Sequence, residues 1–117
     1  MINWEIKDTL GIAFARIAEE QTDSSETIVI DQVKVFFKNC KILGFKIEEI
    51  SSEYAQIGKK SLADLKTIGC IYNEEYTLIT VSLNGCANID IDQNGNAIFI
   101  EIMFNTSDLY SILRNPV

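Results

Sequence analysis

The chain reads as an α+β domain: a helical N-terminal half packed on a C-terminal three-stranded, or slightly larger, antiparallel meander, with a final short helix. Three observations predict this class. Apolar residues in the first half recur at intervals of three and four, the spacing of one helix face. From Cys86 to Phe104 apolar and polar residues alternate with period two, and the segment is rich in β-branched and aromatic side chains. Asn94-Gly95 interrupts that alternation with a dipeptide that turns hairpins. At 117 residues the chain is one domain, long enough to bury a core without disulfides or metals.

The elements follow in chain order. Asn3 can cap a helix running to about Glu20, with Ile6, Leu10, Phe14 and Ile17 on one stripe. Residues 21–25 form a polar loop, and Asp23 with Glu26 makes a capping box. The next helix carries Val29, Val33, Phe36, Phe37 and Cys40 inward and ends near Gly44. Its first turn, Thr27-Ile28-Val29-Ile30, is β-branched enough that helix and strand both remain open there. Ile47, Ile50, Tyr54 and Ile57 space as a third helix stopped by Gly58. Ser61 with Asp64 caps a short fourth one carrying Leu62, Leu65 and Ile68, stopped by Gly69.

The meander begins with a strand over residues 76–83 and a three-residue turn, Leu83-Asn84-Gly85, with Gly85 left-handed. The third strand covers residues 97–104, and Ser107 or Thr106 caps a final helix to about Asn115 bearing Leu109, Ile112 and Leu113.

Residues 90–101, Asp-Ile-Asp-Gln-Asn-Gly-Asn-Ala-Ile-Phe-Ile-Glu, also match an EF-hand calcium loop at Asp90, Asp92, Asn94, Gly95 and Glu101. An EF-hand loop needs helices on both sides to orient its ligands, and both flanks here read as strands. Its eighth position is normally a branched aliphatic and here is Ala97. The hairpin is therefore preferred, with a type I′ turn at Asn94-Gly95 that sets Ile91 opposite Ile98 and Ile89 opposite Ile100. These isoleucines, with Ile102 and Phe104, make one apolar face; Asp90, Asp92, Phe99, Glu101 and Met103 fall on the other.

Composition excludes several functions. The chain has no histidine, which removes Ser-His-Asp and Cys-His catalysis, histidine bases and histidine metal sites. Its 3 cysteines have no paired spacing and read as reduced thiols. No Gly-rich phosphate loop occurs, and nothing singles out a catalytic carboxylate pair, so an enzyme is not expected, nor a cofactor or metal. A net charge of −7 argues against nucleic acid and favours a cationic protein partner. No apolar run spans a membrane and no leader is visible, so a cytoplasmic location is expected. The outer sheet face, with Phe99 and Met103 beside Asp90, Asp92 and Glu101, suits a protein interface of apolar anchors and charged rim.

In size, acidity and layout the whole chain resembles the immunity proteins of bacterial contact-dependent growth inhibition and related polymorphic toxin systems. The resemblance implies a small cytosolic α+β protein that binds and neutralises a cognate toxin domain, often a basic nuclease. It lies in overall character rather than in a motif, so no functional residues carry over. Secretion chaperones of the type III class are also small and acidic, and an adaptor of that kind is the alternative. Their strands come between helices early in the chain, whereas here the helical half is expected first.

Overall fold

A computed structural model of the chain describes residues 4–18, 23–47, 59–71 and 81–114. Its first 47 residues correct the helical expectation, because every element described there is a strand. These are β1 (Trp4–Lys7), β2 (Ile12–Arg16), β3 (Glu26–Lys38) and β4 (Lys41–Ile47). Then come helix α1 (Lys59–Thr67), the short β5 (Cys70–Ile71), β6 (Val81–Ile91), β7 (Ala97–Met103) and helix α2 (Thr106–Arg114). The strands form one sheet in the order β1-β2-β7-β6-β3-β4-β5, antiparallel except where β5 joins β4. The expected three-stranded meander does not form: its first two strands are one continuous β6, paired with β7 inside a larger, curled, half-barrel-like sheet.

The N-terminal stripe dissolves once the strands are placed. Ile6 faces the core, Leu10 is 66% exposed in the β1–β2 turn, and Phe14 lies on the outer face of β2. Their helical spacing is a coincidence of two strands and a turn. The expected second helix is β3 and β4 joined by Asn39-Cys40, both at positive φ (52° and 65°) between paired Lys38 and Lys41. That is the two-residue type I′ hairpin, formed here and not at Asn94-Gly95. The Asp23/Glu26 capping box starts no helix; Glu26 opens β3 opposite Ile91. Of the expected third helix, Ile47 ends β4, and Ile50, Tyr54 and Ile57 lie outside the described residues.

Leu83-Asn84-Gly85 is not a turn either. It runs straight through β6, where Leu83 pairs with Val35 and Gly85 with Val33. Gly85 is needed for closeness: a Cβ there would stand 2.5 Å from the Met103 carbonyl oxygen. The strand expected from residue 76 has its first part outside the described residues, and its end, from Val81, belongs to β6.

The β6–β7 hairpin forms largely as expected. Ile89 opposes Ile100 and Asp90 opposes Phe99, but Ile91 opposes Ala97 rather than Ile98. Ile98 is the extra residue of a bulge, because the loop is longer than two residues. The Gly95 amide donates to the Asp92 carbonyl at 3.0 Å and the Asp92 amide to the Asn96 carbonyl at 2.9 Å. Gly95 takes φ +82° and Asn94 stays at negative φ. A three-residue loop with a left-handed glycine results, and the isoleucine face stays inward: Ile89, Ile100 and Ile102 are fully buried, Ile91 and Ile98 nearly so.

Three bulges curl the sheet. Besides Ile98, Asp31 and Gln32 together oppose Cys86 on β6, and Leu43 is extra between Phe36–Gly44 and Phe37–Ile42. The curl has a direct measure. Trp4 of β1 and Phe45 of β4 meet edge to face at 6.0 Å between ring centroids. Five strand steps separate them, ~24 Å across a flat sheet at ~4.8 Å per strand.

The helices fill the concave side. Leu65 and Ile68 of the α1 region and Leu109 of α2 are buried in the core, with Leu62, Ile112 and Leu113 packed against it. Both helices match the sequence expectation in place and inward residues, and their caps differ. Ser61 and Asp64 reach the hairpin: the Ser61 hydroxyl donates to the Gly95 carbonyl, and Asp64 Oδ2 accepts the Ala97 amide at 3.0 Å. Asn105 caps α2, its Oδ1 accepting the amides of Ser107 and Asp108 at 3.0 and 3.2 Å.

Candidate binding face on the outer side of the sheet

Strand register decides which side chains share the outer face, because directly opposed residues point the same way. One row crosses the sheet as Glu5, Phe14, Glu101, Asn88 and Val29. The next is Arg16, Phe99, Asp90 and Thr27. A third is Lys7, Ile12, Met103 and Cys86, ending at the Asp31–Gln32 bulge. Ile12, Phe14, Phe99, Met103 and Cys86 are each half-buried, and Val29 is 50% exposed. Apolar side chains therefore lie along the face, with charged groups between and around them.

The face carries an aromatic pair. The Phe14 and Phe99 rings lie 5.6 Å apart between centroids at 33°, within the range where aromatic pairs attract. The Arg16 guanidinium sits 5.9 Å from the centre of Phe99, a cation–π arrangement. On the other side of Phe99, Asp90 Oδ1 accepts the Thr27 hydroxyl at 2.8 Å. Toward the β3 bulge the face dips into an open depression of about 550 Å³, lined by Asp31, Gln32, Lys34, Cys86 and Met103 among others. Its polar lining lacks the apolar walls by which small-molecule pockets bury a ligand.

Of the expected site residues, Asp90, Phe99, Glu101 and Met103 come together on this face. Asp92 does not act as part of it. Its Oδ1 accepts the amides of Asn94 and Asn96, each at 2.9 Å, and Oδ2 accepts the Asn96 side-chain amide at 3.3 Å. That carboxylate holds the hairpin loop closed. The calcium-loop pattern is likewise spread over a hairpin, with strand flanks. Among the described residues no three His, Cys, Asp or Glu side chains gather to hold a metal ion.

Sequence reasoning did not place Ile12, Phe14, Arg16 and Val29 here, having assigned their segments to helices. A readable signal existed: Ile12-Ala-Phe-Ala-Arg16 alternates large and small with period two. None of the three cysteines is in a disulfide. Among the described residues no helix is long and apolar enough to cross a membrane. The chain matches no protein-family model, no curated protein and no solved structure.

Proposed function

We propose that the chain is a binding protein rather than an enzyme, that its outer sheet face docks a basic protein, and that this partner is a toxin domain it neutralises. The carrying observation is the half-buried Phe14–Phe99 pair, flanked by Met103 and Ile12 and bordered by Glu5, Asp90 and Glu101, in a chain of charge −7. Half-buried aromatics gain most when a partner finishes their burial, and acidic neighbours favour a cationic one. The lack of histidine and of any catalytic motif supports a non-enzymatic role. Small size and acidity support the toxin reading. The helical first half that belonged to the resemblance is overturned and lends no support.

The test begins with the gene next door. A basic toxin domain encoded there should arrest growth when expressed alone, and co-expression of this chain should relieve the arrest through a complex that co-purifies. A secreted effector as neighbour would shift the reading to a secretion chaperone. A toxin that arrests growth equally with or without this chain would overturn it.

A further inference from the structure

Phe14 has an unusual setting for an outward-facing aromatic. It opposes Glu5 on β1 and Glu101 on β7, so a carboxylate stands on either flank of the ring. Directly opposed residues hold their Cβ atoms ~4.5–5.5 Å apart, close enough for both acids to reach over the ring edge. Among the described residues neither the Glu5 nor the Glu101 carboxylate makes a hydrogen bond or ion pair, and no cation lies over Phe14. One row on, Phe99 has Asp90 on one side and Arg16 on the other, and there the chain's own guanidinium covers the ring at 5.9 Å. The two rings are neighbours at 5.6 Å. Thus one ring of the pair already carries a guanidinium, while the more acidic setting carries none.

We infer that Phe14, between Glu5 and Glu101 and with Asp90 in the next row, is the seat of an arginine side chain presented by the partner protein. The inference rests on the proposed docking face and names the chemistry it receives. Arginine fits better than lysine. Its planar guanidinium stacks on a ring and is less strongly hydrated than an ammonium, and its fork of donors can serve two carboxylates at once. Glu101, half-buried, is partly shielded from water, which strengthens both its attraction for a cation and the cation–π contact. A nucleic-acid phosphate at Phe14 would meet the like charges of Glu5 and Glu101 on either flank.

The probe is an arginine-rich peptide, titrated into the intact chain beside a lysine peptide of equal length and charge and followed by NMR. The arginine peptide should bind more tightly, with its largest shifts at Phe14, Glu101 and Phe99. Phe14→Leu keeps apolar volume and removes the ring; it should weaken arginine-peptide binding about three- to tenfold and erase the preference over lysine. Glu101→Gln and Glu5→Gln, which leave the core untouched, should each weaken it by a similar factor. Equal affinity for the two peptides, shifts centred elsewhere, or a Phe14→Leu variant that binds like the parent would overturn the seat. The toxin reading fails separately: if growth rescue fails while the arginine peptide still binds at Phe14, the seat stands and the toxin falls. If rescue survives in Phe14→Leu and the peptides are not discriminated, the seat falls and the toxin stands.

Discussion

Asp92, Gly95 and Ile100 carry the clearest consequences at the scale of single residues. Gly95 is at φ +82° and nothing lies within 4 Å of where its Cβ would be, so any substitution there is felt only through the backbone. Gly95→Val should destabilise the domain by about 1–3 kcal/mol in denaturant titration, since a β-branched residue is strained at positive φ. Ile100 is fully buried between the helices and the sheet, and Ile100→Ala should cost about 2–5 kcal/mol. A surface-sized effect at Ile100 would contradict the inward isoleucine face. Asp92 spends both carboxylate oxygens on its own loop, so its loss should lower stability before it affects any partner.

The β6–β7 hairpin is the element on which most depends, because it supplies core isoleucines, outer-face residues and the loop held by α1. Its geometry also bears on calcium. An EF-hand loop wraps its ligands around the ion, whereas here Asp90 and Glu101 sit diagonally on the adjacent strands β6 and β7, two residues apart in register, and Asp92 is committed to amides. Titration calorimetry with millimolar calcium should give no heat of binding, and Glu101→Gln should melt at the same temperature with calcium as without. Saturable binding in the micromolar range would mean that the hairpin rearranges around the ion.

For the whole molecule, the relevant quantity is the field of a −7 chain, to which the outer face contributes Glu5, Asp90 and Glu101 beside the cations Lys7 and Arg16. Association with a basic partner should slow as salt rises, because screening shortens the reach of surface charge to ~8 Å at physiological ionic strength. Reversing Asp90 and Glu101 together to Lys should lower the on-rate by roughly tenfold or more while leaving the melting temperature nearly unchanged, whereas Phe99→Ala should raise the off-rate. Stopped-flow rates across a salt series would separate the two. Rates indifferent to both changes would move the site away from this face.

The amino-acid sequence by itself determined the β6–β7 hairpin, its inward isoleucines, the position of Gly95, and both described helices with their buried leucines. These are local: period two or period 3.6 over one segment, punctuated by a turn residue or a cap. The strands described before residue 48 were decided by the tertiary structure, although β-branched Thr27–Ile30 and the large–small alternation of Ile12–Arg16 each carried a strand signal. In β2 the inward residues are the small Ala13 and Ala15 while Ile12 and Phe14 point outward, and in β3 Val29 and Phe36 do the same. With apolar residues on both faces the alternation that marks a strand disappears, and the remaining spacing imitates a helix. The bulges at Asp31–Gln32 and Leu43 break the period again. The outer face stayed hidden for the same physical reason: it joins β2, β7, β6 and β3, and long-range pairing, which no local pattern encodes, decides which strands become neighbours.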